Sequence, residues 1–113
     1  MIQLNDFTLR SRTQNGAFLL LYYASWCPLC SKALQILTEL ERAQPLPFSF
    51  GKLNFDHCPN AVRLHRIAGV PTLLALLQGK PAGIWPGLRT EAVYTEITGQ
   101  LASICTNDSQ SYQ

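Results

Sequence analysis

Ala17-Phe18-Leu19-Leu20-Leu21-Tyr22-Tyr23-Ala24-Ser25-Trp26-Cys27-Pro28-Leu29-Cys30 runs an apolar stretch directly into two cysteines three residues apart. A near-continuous apolar run of this length suits a strand buried on both faces of a sheet, and hence a central one. Beyond it, Leu34, Leu37 and Leu40 recur with helical spacing, Ile36 widens the stripe, and Pro45-Leu46-Pro47 stops it. The junction places Cys27 at a helix start, where unpaired N–H groups and the positive end of the helix dipole favour a thiolate. Pro28 falls at the first helical position, where its missing N–H costs nothing. A three-residue step returns Cys30 to the same face beneath Cys27, within reach of a sulfur that has been attacked. The spacing is that of a nucleophilic thiol and a resolving thiol.

Two other uses of such a pair compete less well. A structural zinc site needs four ligands, and no second CxxC or HxxxH pair accompanies Cys58 or Cys105. His57 and Cys58 are adjacent and would point to opposite faces of an extended segment. A purely structural disulfide is the other competitor, but strained short-loop bridges are usually the labile, working ones. A bridge between Cys58 and Cys105 stays open at this level.

Working outward, Ile2 to Leu4 reads as a short edge strand, followed by a brief helix from about Asp6 capped by Asn5 or Asp6. Phe48 to Asn54 is the next strand, and Pro59 starts a short helix that Gly69 closes. Thr72 to Leu77 is a further apolar strand, joined by a tight Gln78-Gly79-Lys80 connection to a last strand near Ala82 to Trp85, which Pro81 and Pro86 mark as an edge. Thr90 can cap a final helix with an apolar stripe of Val93, Ile97, Leu101 and Ile104. The order is βαβαβαββα. It predicts an α/β domain over residues 1–105, with parallel pairings wherever helices intervene, one terminal antiparallel hairpin, helices on both faces of a mixed sheet, and a polar, fraying tail over 106–113.

One domain fits 113 residues of which 47% are hydrophobic. A formal net charge of +2, with 14% charged residues and no charge block, gives no reason to expect nucleic acid or an anionic membrane surface as partner. No apolar run reaches the roughly 18 residues of a membrane span, and the first residues lack the basic start and apolar core of a secretory signal. A cytoplasmic monomer acting on other proteins is the expectation, although a mature exported domain would look the same.

Ala24-Ser25-Trp26-Cys27-Pro28-Leu29-Cys30, Lys52-Leu53-Asn54 with Asp56, Val70-Pro71-Thr72, Gly79, Gly87 and the element order together resemble thioredoxin over roughly residues 2 to 104. The resemblance implies the thioredoxin fold and a thiol–disulfide oxidoreductase that reduces protein disulfides. Cys27 would be the nucleophile, Cys30 the resolving thiol, and Pro71 a cis-proline beside them. Trp26, Pro28, Leu29, Val70, Pro71 and Gly87, with Leu88, would form a substrate-docking rim, and Lys52 would stand near the sulfurs and favour thiolate. No metal or organic cofactor is implied, because the dithiol carries both electrons and is restored by an upstream thiol reductase or oxidase. Trp85 reads as a packing residue, and His57 and His65 read as solvated side chains.

Three departures from the thioredoxin pattern stand out. Leu21 occupies the place of a buried carboxylate beneath the cysteines, which predicts slow resolution of mixed disulfides. Pro28-Leu29 replaces Gly-Pro, bringing neither charge nor hydrogen bond to Cys27. Gln35 stands where thioredoxin has a helix-kinking proline. The missing acid and Pro28 leave room for an exported thiol oxidase or disulfide isomerase. A thioredoxin-fold binding module with little redox activity is a further alternative.

Overall fold

The apolar run from Ala17 to Tyr23 forms the middle strand of a five-stranded sheet in a computed structural model that describes residues 1–111, with side chains through Thr106. The elements are β1 (Ile2–Leu4), α1 (Leu9–Thr13), β2 (Ala17–Tyr23), α2 (Pro28–Ala43), β3 (Ser49–Asn54), α3 (Pro59–Leu64), β4 (Thr72–Leu77), β5 (Lys80–Pro86) and α4 (Glu91–Ser111). Their order in the sheet is β1-β3-β2-β4-β5. Strand alternation divides β2 between two cores. Leu19 and Leu21 face α2 and α4 with Ala33, Leu37, Tyr94, Ile97 and Leu101. Leu20 and Tyr22 face α1 and α3 with Leu9, Cys58, Ala61 and Ile67. Leu19, Leu20 and Leu21 have no exposed surface, and each contributes about 1.5–3 kcal/mol by burial.

β1 and β2 both pair with β3 in parallel, as the helical connections predict. β4 departs from the expectation by running antiparallel to β2, with Leu21 opposite Leu73. The connection over residues 55–71, which contains α3, makes no return along the sheet, so the chain enters β4 from the end at which it left β3. β5 is an edge strand closing an antiparallel hairpin with β4, its turn made by Gln78 and Gly79 at φ 52° and 80°. The Trp85 ring lies against Gly83 within that strand and packs on the core.

Helix ends show further differences. Gly69 does not close α3. The Ile67 N–H reaches back to Val62 O at 2.9 Å, and Arg66 takes the left-handed position at φ 56°, where a helix end usually has glycine. Asn5 caps the turn before α1 through Phe7 N–H and Thr8 N–H, whereas Asp6 reaches across to cap α3, taking Ala61 N–H at 2.8 Å and Asn60 N–H at 3.1 Å. Asp6→Ala should therefore lower stability by about 1 kcal/mol in urea denaturation; an unchanged midpoint would show this cap to be idle.

Thr90 caps α4 as expected, its Oγ1 accepting Val93 N–H. The buried stripe is turned toward Tyr94, Ile97 and Leu101, leaving Ile104 exposed. α4 continues through Ser111, so most of the expected tail is helical, because backbone hydrogen bonds within a helix do not need an apolar face. Tyr112 and Gln113 lie outside the described residues. Cys58 and Cys105 belong to cores on opposite faces of the sheet and cannot bridge.

Candidate active site

β2 delivers the chain to the site at its carboxyl end. The Cys27 N–H donates to Ala24 O at 3.2 Å, turning the chain into α2, whose first residue is Pro28. Cys27 is the N-cap residue, and its Sγ accepts the Cys30 N–H at 3.2 Å. Both cysteines are reduced, and together with Ala24 they form a small buried cluster against Tyr23 and Val70. Cys27 retains 7% of its surface and Cys30 only 1%, so the first sulfur lies at the edge of the protein and the second beneath it. Burial is the main influence pushing the Cys30 thiol up to about 12, with its hydrogen bond to Cys27 and the Cys27 charge adding to it and the Ala24 backbone opposing.

The rim comes from four loops. Trp26 is 66% exposed and Leu29 53%, flanking Cys27 as apolar surface together with exposed Pro28. Trp26 Nε1 donates to Asp56 Oδ2 at 2.7 Å. Asp56 is held in place by the turn after β3, in which its own N–H donates to Asn54 Oδ1. The Val70–Pro71 bond is cis, and Val70 O lies 4.0 Å from Cys27 Sγ. Gly87, at φ 81°, donates its N–H to Pro71 O at 2.8 Å, and a Cβ there would meet nothing within 4 Å. The pair of loops therefore meets the CxxC with open space beside it.

Lys52 lies on β3 with its Nζ 5.6 Å from the Tyr23 ring centre, and Tyr23 in turn packs against the cysteines. Its placement is over the aromatic neighbour of the sulfurs. Leu21 is fully buried in the layer below, between Lys52 of β3 and Leu73 of β4 in the sheet. Tyr94, from the first turn of α4, shares that layer, and its hydroxyl accepts the Arg89 N–H at 3.2 Å. Burial, foremost, and the charge of Cys30, last, raise its phenol, while the Arg89 backbone and charge lower it. The sequence marks Tyr94 only as a neighbour of the apolar stripe, and nothing local signals that it packs in the layer of Leu21.

His57 is exposed, as expected. His65 is not simply solvated: its Nδ1 lies 2.7 Å from the Tyr22 hydroxyl, and burial lowers its affinity for a proton. It sits on the α3 side of the sheet and is part of the packing there. Among the described residues there is no group of three or more histidine, cysteine or acidic side chains that could hold a metal ion, and no helix long and apolar enough to cross a membrane.

This arrangement has counterparts. The family model Thioredoxin matches residues 2–98. A thioredoxin from Staphylococcus aureus is 23% identical over 97 residues, covering 86% of this chain and 93% of that protein. A thioredoxin-like protein from Fusarium culmorum is 28% identical over 65 residues, which span 56% of this chain and about half, 54%, of that protein. A mutant thioredoxin from Halobacterium salinarum NRC-1 shares the fold with a TM-score of 0.79 at 19% identity, covering 89% of each chain. With the fold, the CxxC at the start of α2 and a family match over most of its length, the chain belongs to the thioredoxin family of thiol–disulfide oxidoreductases.

Proposed function

We propose that this protein reduces disulfides in other proteins, with Cys27 as nucleophile and Cys30 as resolving thiol. The observation that carries the reading is the stacked pair at the N-terminus of α2: an edge-lying Cys27 Sγ hydrogen-bonded by the Cys30 N–H, above a buried Cys30. The Cys27 thiolate attacks one sulfur of the substrate disulfide, forming a mixed disulfide and releasing the other sulfur as a thiolate. Cys30, on losing its proton, attacks Cys27 Sγ, closes the Cys27–Cys30 disulfide and releases the second substrate thiolate. Two electrons leave the dithiol, and the substrate thiolates take up protons. An upstream dithiol reductase returns the pair to its reduced form; no metal or organic cofactor enters.

Trp26, Pro28, Leu29, Val70, Pro71 and Gly87 form the docking rim. An extended substrate segment laid beside Val70 can pair with its backbone, while the open space at Gly87 admits the substrate chain. Lys52 acts through Tyr23, as a positive charge held over the ring that packs on the sulfurs. The cytoplasm, with its thiol-reducing supply, is the compartment this reading assigns.

The reduction potential of the Cys27–Cys30 pair, taken from Trp26 fluorescence in glutathione buffers, tests the direction of flow. A value near about −270 mV is expected for a reductase; one near about −120 to −180 mV would overturn the reductive assignment in favour of an exported oxidase or isomerase.

A further inference from the structure

The loop that leads into Pro71 carries a residue that its backbone disfavours. Arg66 ends α3 in the left-handed region, where a side chain is strained and glycine is not. Its side chain is exposed, and no ion pair engages it among the described residues. It borders a cleft of about 190 Å³ that also takes in Val70, Pro71, Ile84, Pro86 and Gly87. Ile84 is 45% exposed there, on the edge strand β5. Val70 and Gly87 belong at the same time to the rim of the Cys27 sulfur, so the cleft adjoins the site. The cleft thus adjoins the rim of the site, its lining includes the aliphatic Ile84 and Pro86, and Arg66, exposed and without an ion pair among the described residues, borders it.

We propose that this cleft is a specificity subsite for disulfide substrates that carry an aliphatic side chain next to a carboxylate near the attacked cysteine. The aliphatic group would pack on Ile84 and Pro86, and the carboxylate would pair with the Arg66 guanidinium, whose planar donors suit it. This inference rests on the reductase reading, because it names the class of protein segment that the rim of Cys27 would hold. The left-handed backbone at Arg66 is the strained feature from which this use of its side chain is argued.

The test uses disulfide-looped synthetic peptides in which Ile-Glu, Ile-Gln or Ile-Lys is walked through the three positions on each side of one cysteine. At the favoured position the wild-type kcat/KM for Glu over Lys should be about five-fold or more at low salt, and should shrink at 0.5 M NaCl. Arg66→Gly, which relieves the backbone, should bring the ratio to about one, and Arg66→Glu should invert it. Ile84→Ser should remove the advantage of Ile-Glu over Ser-Glu peptides. A wild type without charge preference, or a preference that survives unchanged in Arg66→Gly, would overturn the subsite while leaving the reductase in place. Failure of the wild type to reduce any peptide would remove the reductase reading, and the subsite with it.

Discussion

Replacing Cys27 by serine is expected to reduce insulin-disulfide reduction, with dithiothreitol as electron source, to the rate of dithiothreitol alone. The loss should be on the order of 10³-fold or more, the scale seen when a covalent nucleophile is removed. A serine hydroxyl can occupy the N-cap and accept the Cys30 N–H as sulfur does, so α2 should start normally and the protein should stay folded. It cannot form a mixed disulfide. Cys30 cannot substitute, because with 1% of its surface exposed it offers no approach to a protein disulfide. The same variant also separates the oxidoreductase from a binding module. Turnover by Cys27→Ser at the wild-type rate would sink the assignment of Cys27 as nucleophile.

The second large effect is on the step that releases product. Cys30 must lose its proton to attack Cys27, yet burial above all pushes its thiol up to about 12. Once Cys27 is tied up in a mixed disulfide, its charge no longer adds to the shift, but burial persists. Because the thiol is held above the working pH, its thiolate fraction rises about ten-fold per pH unit, and the resolving rate should follow. Between pH 7 and 9 that amounts to about 100-fold. A mixed disulfide of Cys27 with a chromophoric aromatic thiol, followed by stopped-flow absorbance, reads the step directly. A slope of log rate against pH near +1 is expected; a flat profile would mean that some group takes the proton from Cys30 within the site. Leu21, fully buried in the layer below the cysteines, offers no such group.

The charge pattern in space differs from that along the chain. Arg10 of α1 and Lys80 of β5 border one groove with Leu64 and His65, although 70 residues separate the two cations in sequence. The linear sequence holds no basic block, and the fold alone brings these charges together. Likewise, the place of Arg66 on a cleft shared with the cis-proline loop is visible only after α3 has been ended three residues earlier than Gly69 would end it. Trp26 shows the reverse case. Its position just before the CxxC is enough to expect exposure, while its hydrogen bond to Asp56 depends on a turn thirty residues away.

The sequence by itself determined the elements whose signals are local. The apolar run of β2, the proline that starts α2, the leucine spacing that continues it to Ala43, and the apolar Thr72–Leu77 strand all appear within the residues expected. Cys27 as N-cap above Cys30 also follows from spacing alone, because helix geometry relates residues three apart without help from the rest of the fold. The tertiary structure decided what depends on distant partners. The chain entered β4 antiparallel to β2, and Asp6 capped a helix 55 residues along the chain. His65 met Tyr22, and Tyr94 came to lie in the layer of Leu21. Hydrogen bonds within a helix and side-chain alternation in a strand are set by neighbours a few residues apart, whereas these contacts form only when packing closes the two faces of the sheet.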